Sequence, residues 1–584
     1  MSEPLPPSPA RPRPRDGLAA RIRREWAARR AGLGPRAQGF LWQPEPRFPG
    51  SAVRGRQLLA GNFRLGGALV EIDGISPWDI IPPNDEFEAA LHGFAWLDDL
   101  VAVPNNEGRA MAQRWLAEWT TRYGKGRGPG WSADLTGRRQ IRWITHTLFL
   151  MNGQAPADGR LFHLALSRQA NYLARHWRRA SPGLARFEAL TGLIYSACAL
   201  IGMETRLEPA LTGLAQDCAT QIDAQGGIVT RNPEELLEVF VLLTWIAQIL
   251  QETGKRADPA VDTAIMRVAP TLRALRHADG SLARFHGGGR GAPGRLIGAL
   301  VQSGVRPSRV RGLAMGYARM ASGRVTIITD AAPPMIGTGS TNAHAGTLAF
   351  EMCSANHPLI VNAGSGASFG PEWRRAGRAT VSHSTVSLEG YSSSRFAEKA
   401  LHDPPERQSF ENGPSDVSVQ VSEITGGEGL VLSHDGWRKT HGLVHLRSLT
   451  LEDNGNLLRG EDGLAALDGH DRDRFMRVNR SLPSDVGLRF AARFHLHPDV
   501  VVELDMGGAA ISLTLPTDEV WVFRHGDEAE LSIRPSVYFD ATRLKPRATK
   551  QIVLTSRVRG YGAAVSWSIA RPSALLPAPD DLSL

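Results

Sequence analysis

Asn342-Ala-His344-Ala-Gly-Thr-Leu-Ala-Phe350, then Pro358-Leu-Ile-Val-Asn362-Ala-Gly364, then Thr380-Val-Ser-His383-Ser-Thr-Val386 follow one another closely in this chain. Each piece joins a polar residue to a short apolar or β-branched run bounded by turn formers, the pattern of a buried strand. The reading sets His344, Asn362 and His383 on or beside three strands of one sheet. A metal ion or an anionic sugar can be held by such a set.

Outward from this block the hydrophobic period divides the chain in two. Upstream, apolar residues recur at helical spacing: Met111, Trp115 and Trp119; Phe162, Leu166, Ala170, Leu173 and Trp177; Leu236, Phe240, Leu243, Ala247 and Leu250. Short Gly and Pro breaks separate the repeats, which predicts an all-α bundle or toroid. The period changes near residue 310. Val325–Thr329, Val417–Val421, Arg489–His497 and Val520–Phe523 carry β-type composition or alternation with Gly, Asp, Asn and Pro between them. That predicts an antiparallel β-sandwich to the C-terminus. The expected organisation is a basic Pro/Arg-rich arm at 1–35, a toroid domain at 36–305 and a sandwich domain at 306–584, a multidomain α+β protein.

At 584 residues, 42% hydrophobic and 22% charged, the chain is long enough for several globular cores. Its formal charge of +8 suits a polyanionic partner, although arginine outnumbers lysine roughly tenfold, as codon bias also produces. No nucleic-acid signature accompanies the charge, so nucleic acid is not an expected partner. Cys198, Cys218 and Cys353 lack metal-ligand spacing and read as core thiols. The N-terminal stretch has no uninterrupted apolar run, so neither a signal peptide nor a membrane-spanning segment is expected and the chain reads as cytoplasmic. The glycine run Phe285-His-Gly-Gly-Gly-Arg-Gly-Ala-Pro293 lacks the strand-to-helix context of a phosphate loop and reads as a hinge or cleft loop. His495 and His497 share a strand face with Arg489 and Arg493, read as a solvated outer face or a second anion-facing patch. His434 and His445 read as strand or turn residues.

The 342–386 block resembles the C-terminal signature of the heparinase II/III family of polysaccharide lyases, which runs roughly HAHAD, PLIVDPG, THNTV. Ser76-Pro-Trp-Asp79, Leu91-His-Gly-Phe-Ala-Trp96 and Asp134–Trp143 are similar to the N-terminal domain of one bacterial branch. Ser433-His-Asp-Gly-Trp437, Gly460-Glu-Asp462 and Phe494-His-Leu-His-Pro498 are similar to its later sandwich strands. The resemblance implies an α/α toroid followed by a β-sandwich, β-elimination on uronic-acid glycans, and export to the cell envelope or periplasm. It departs where chemistry is concentrated: Asn342 stands for the first His of the signature, Gly346 for an Asp and Asn362 for a second Asp. The expected Asn-His pair and toroid Tyr are missing from 182–195 and 226–237.

What remains at the family-equivalent places is Arg186, Arg231, Asn232, His286, Arg290 and Asn342. On the family reading, Arg186, Arg231 and Arg290 with His344 hold the uronate, since a guanidinium pairs a carboxylate bidentately. His286 then acts as the base, with Arg186, Arg231, Asn232 and Asn342 beside it in the catalytic set. The plain alternative makes Arg186 a helix-surface cation and Arg231-Asn-Pro233 a helix cap. The resemblance also implies a zinc site at His344, Asn362 and His383, against a hydrogen-bonded core formed by the same residues. The leading expectation is a polysaccharide-lyase-type protein with a non-standard site. The other is a catalytically inactive acidic-glycan-binding or envelope-biogenesis protein on the same scaffold. A glycoside hydrolase would need paired carboxylates, for which Glu188 and Glu234 are the candidates. Glycan identity and oligomeric state are not legible.

Overall fold

The computed structural model describes residues 18–47, 50–308, 310, 312–398, 408–424, 426–480 and 487–572. Two compact units emerge. The first takes the described residues up to Val229 with Glu235–Ala269 and Ile297–Arg306; the second takes Thr230–Glu234, Pro270–Leu296 and the described chain from Pro307 onward. The division is interleaved where sequence reading expects one cut at 305, so Arg231, Asn232, His286 and Arg290 belong to the β-rich unit.

The first unit is helical apart from a hairpin, Asn62–Leu65 with Ala68–Glu71. Within the N-terminal arm Leu18–Ala31 forms a basic helix, and it buries Ala27, Ala28 and Ala31. The Pro-rich tip at 1–17 lies outside the described residues. Phe162, Leu166, Ala170 and Leu173 are buried along Pro156–His176, as their spacing predicts. The helices Ala133–Thr145 and Leu184–Ala199 cross almost backbone to backbone. A Cβ on Gly137 would lie 2.2 Å from the Glu188 carbonyl oxygen, and one on Gly192 would lie 2.5 Å from the Gly137 Cα. Beside that crossing Arg139 is wholly buried, its guanidinium 4.2 Å from the Trp119 ring centre. No helix among the described residues is long and apolar enough to cross a membrane.

The second unit is an antiparallel sandwich. One sheet runs Val417–Ile424, Gly427–Trp437, Leu443–Glu452, Leu457–Ala465, Gly562–Ala570, Val520–His525, Ala510–Thr514, Val501–Asp505. The other runs Glu530–Tyr538, Arg547–Val558, Leu488–Leu496, His357–Val361, Phe350–Ser354, Val325–Asp330, Tyr317–Ser322, with Val386–Leu388 pairing beside Leu488–Leu496. Their inner faces share a core that includes Phe350, Phe494, Phe523 and Trp567. Within it the rings of Phe350 and Phe523 lie nearly parallel to the Trp567 indole, at 2° and 8°. The sandwich also contains helices absent from the sequence reading. Pro371–Arg378 starts with proline in its first turn after Gly370 at φ 109° and ends on Arg375 and Arg378, as helix-end chemistry favours.

Candidate functional site

Arg231 and His286 enter the sandwich unit from the two inserted segments, each at a positive φ that non-glycine residues rarely adopt, 52° and 46°. What holds Arg231 is a complete set of acceptors. Its Nε donates to Met315 O at 3.1 Å, Nη1 to Ala332 O at 2.9 Å and Pro333 O at 3.0 Å, and Nη2 to Gly316 O at 2.9 Å and Asp330 Oδ1 at 2.5 Å. The Tyr317 ring lies under the guanidinium at 4.7 Å, and its hydroxyl donates to Arg231 O. Gly316 permits the approach, since a Cβ there would sit 2.8 Å from Nε. The Arg231 and His286 partners hold the buried Asp330 carboxyl below its usual range against the opposing pull of burial.

The histidines form a chain whose tautomers follow from donor logic. The His344 backbone N–H can only donate, and it points at His286 Nδ1 from 3.1 Å. The neutral His286 ring therefore carries its proton on Nε2, 3.3 Å from Asp330 Oδ2 and 3.4 Å from Arg231 Nη1. The carboxylate contact is close but off-line, so Asp330 Oδ2 lacks a well-aligned hydrogen bond. One residue further, His383 Nδ1 lies 2.8 Å from Ala379 O, so it carries the proton and leaves Nε2 to accept from His344 Nδ1 at 3.0 Å. His344 then presents Nε2 as a lone pair, its Nδ1 being the ring nitrogen engaged with His383. Burial, reinforced for His344 by the neighbouring His383, His286, Arg378 and Arg374, keeps all three rings neutral: His286 is lowered, His344 well lowered and His383 pushed down to about 4.

Asn362 Oδ1 accepts from the Ser384 backbone N–H at 2.9 Å, and its Nδ2 faces Glu351 Oε1 at 3.5 Å. Glu351 in turn accepts from the Arg284 N–H and lies 3.3 Å from His277 Nε2. A zinc ion at His344, Asn362 and His383 would have to break the His–His hydrogen bond and the Asn362–Ser384 bond together. These donors fit a hydrogen-bonded core better than a zinc site. Among the described residues no three or more His, Cys, Asp or Glu side chains are grouped to hold a metal ion.

The remaining candidates have specific places. Asn232 caps the helix Pro233–Glu252 through Oδ1 to the Glu234 N–H at 3.0 Å and donates to His286 O. Asn342 is exposed and accepts from Arg374 Nη2 at 2.5 Å. Arg290 pairs with Asp279 and keeps about two-fifths of its side chain exposed (39%). Arg186 lies in the first unit, where it pairs with Asp217 at 3.2 Å and donates to Ala180 O. The hydrolase candidates fall in different units: Glu188 pairs with Arg138 in the first, and Glu234 accepts from the Gly289 N–H in the second.

Sequence reasoning missed Asp330, Arg374 and Arg378. Arg378 is buried and donates to Ala343 O and Ser340 O. It also misjudged one pair. His495 and His497 are 3% and 6% exposed, not a solvated face, because His495 lies beneath Val381 and Ser536. His434 and His445 stand on paired strands, within the strand-or-turn expectation, and also join a buried network. The Gly436 N–H donates to His434 Nδ1, so His434 Nε2 donates to His445 Nδ1 at 3.3 Å and His445 Nε2 donates to Asp462 at 3.0 Å. Asp462 also accepts two bonds from Arg447, at 2.7 and 2.9 Å, and one from the Trp567 indole at 3.0 Å. Arg447 Nη1 continues to Leu348 O and Ser384 O, tying this network to the segments that carry His344 and His383.

Residues 305–568 match the heparinase II/III-like C-terminal domain. Over 571 residues the chain is 32% identical to the FtsZ-localized protein C of Caulobacter vibrioides, covering 95% of this chain and 94% of that one. Among solved structures it is similar to heparinase III, with TM-score 0.67 and 11% identity over 97% of this chain and 91% of that one. A mutant of the heparan sulfate lyase HepC of Pedobacter heparinus gives TM-score 0.57 and 13% identity over 94% and 88%. The structural matches establish the lyase fold, and with the sequence relative they lead to one conclusion: the chain belongs to the heparinase II/III-like family.

Proposed function

We infer that this protein is a recognition module on a lyase fold, binding an acidic glycan and working together with FtsZ rather than cleaving polysaccharide. One observation carries the reading: Arg231 and His286 are engaged inside the core. β-Elimination beside a carboxylate needs a cation free to neutralise it and a base with an available lone pair. Arg231 directs all its N–H groups at protein acceptors, and His286 is 2% exposed with both nitrogens facing protein groups. His286 acts here as a positioning residue for the 342–344 turn, and Arg231 for the 315–316 and 330–333 segments. The net charge of +8 supports an acidic partner. The association with FtsZ is supported by the name of the 32%-identical relative.

A second reading has one observation in its favour. With its Nδ1 engaged by His383, His344 keeps Nε2 as a lone pair, so a weak elimination centre would be built on it, beside Asn342 and Arg374. The experiment separates the two. Purified protein is incubated with a panel of uronate glycans while the ultraviolet absorbance of unsaturated product is followed, and in parallel it is co-sedimented with FtsZ polymer. The recognition reading expects flat absorbance and co-sedimentation. Absorbance growth that disappears in His344→Ala would overturn it in favour of elimination, and failure to pellet with FtsZ would remove the FtsZ part.

A further inference from the structure

The outer face of the first sheet carries a groove of about 460 Å³ that none of the preceding chemistry uses. Such a volume lies within the range of small-ligand sites. Its floor is built by register. Thr450, Arg459, Ser568 and Arg524 stand opposite one another across four neighbouring strands, and Glu461 stands opposite Ser566 in the next row. Neighbouring strands lie about 4.8 Å apart, so the two arginines flank Ser568 at roughly 10 Å between backbones.

These guanidiniums differ from those of the core. Among the described residues Arg459 has only a distant carboxylate, Glu452 at 3.9 Å, and its side chain is 65% exposed. Among the described residues Arg524 reaches only the Met506 sulfur at 3.6 Å, and its Nε has no hydrogen-bond partner there. Between them lie short hydroxyls able to donate and accept, while Leu449, Leu458, Phe523 and Ile569 point the other way into the core; Leu446, Leu457 and Val522 share the outer face but do not line the groove. Trp567 contributes to the lining while its indole packs into the core against Gly460, where a Cβ would come within 2.2 Å of the ring. Beneath the floor the Asp462–Arg447–Trp567 network fixes these strands.

We propose that this groove is a second ligand site, for a short carboxylated saccharide whose carboxylate lies between Arg459 and Arg524 and whose hydroxyls meet Ser566, Ser568 and Glu461. A polyol suits a floor of hydroxyls without apolar sockets for peptide side chains. Glu461, with Glu528 3.3 Å from the Ser566 hydroxyl, disfavours a densely charged polyanion and accepts from sugar hydroxyls. The site is independent of the recognition reading above and does not rest on it.

The test is calorimetry on the full chain at low salt with three probes: an α-1,4-linked galacturonate tetramer, neutral maltotetraose and a hexaglutamate peptide. The galacturonate tetramer binds, maltotetraose binds more weakly and hexaglutamate does not compete. Arg459→Ala and Arg524→Ala each weaken the tetramer by about tenfold, the scale of one lost charge-assisted hydrogen bond, and Arg→Lys restores part of it. Ser568→Trp, which fills the floor and leaves both arginines, abolishes binding with the melting curve unchanged. Equal affinity in a folded Arg459→Ala/Arg524→Ala protein overturns the assignment. So does tight hexaglutamate binding, absence of tetramer binding by the unaltered protein, or tetramer binding lost only in Arg374→Ala.

Discussion

Replacing Asp462 by asparagine tests the buried network where its charge balance is simplest. Asp462 is 0% exposed and accepts four hydrogen bonds: two from Arg447, one from His445 and one from Trp567. In Asp462→Asn the shape is kept, but one oxygen becomes a donor facing donors and the negative charge is lost. Arg447, itself 1% exposed, is left as a buried cation whose remaining acceptors are the Leu348 and Ser384 carbonyls. Breaking a buried pair from one side costs about 3–5 kcal/mol, a large share of the roughly 5–15 kcal/mol that holds a domain folded. Guanidinium unfolding followed by tryptophan fluorescence reads it out directly. The midpoint should fall in Asp462→Asn and recover in part in Asp462→Leu/Arg447→Met, which removes both charges. A loss below about 1 kcal/mol, or a double variant weaker than the single one, would refute the charge argument.

Other outcomes follow from the same contacts. His92, His383 and His495 are pushed down to about 3, about 4 and about 3, chiefly by burial, so they stay neutral in the fold while the unfolded chain protonates near pH 6.5. Their contribution is whole above that value and falls as pH drops toward 4, by roughly 2 kcal/mol per histidine at about pH 5; urea midpoints across this range should decline accordingly. Arg231→Lys, keeping charge but losing the fork, should lower the sandwich melting temperature and leave glycan affinity unchanged, which differential scanning fluorimetry and calorimetry together check. Asn362→Asp should destabilise by about 1–3 kcal/mol, since it turns the group facing Glu351 into a second carboxylate, and zinc titration should not restore the loss. Arg186→Ala should destabilise the first unit by leaving Asp217 buried without its cation, measurable as faster proteolysis of the helical region.

The helical half was readable where one face of a helix is buried and the other is not, as Phe162, Leu166, Ala170 and Leu173 report along Pro156–His176. The strand Leu488–Leu496 was readable as a strand and misread as to its faces. Period-two alternation separates two sides but cannot tell a solvated side from one covered by another segment, and here Val381 and Ser536 cover His495. The family signature led to the right neighbourhood for His344, Asn362 and His383. It could not show the engagement of Arg231, because the carbonyls that take its donors lie some 85 to 100 residues downstream. Asp330 and Arg378 were invisible for the same reason, being a strand-end carboxylate and a helix-end cation whose meaning is set entirely by distant partners.

The crossing of Ala133–Thr145 over Leu184–Ala199 at Gly137 and Gly192 has a bearing on how this fold can change over time. Because the contact is backbone against backbone, there is no side chain there to trim or exchange, and neither helix can roll about its axis without a collision. Arg138, next to Gly137, and Glu188, whose carbonyl meets Gly137, pair at 2.6 Å and are therefore locked in rotational phase. Descendants of this sequence can alter which groups the two helices present only by swapping residues at fixed stations, one letter at a time. A lineage that discards an old chemistry on such a frame will keep its skeleton long after its reactive groups have gone.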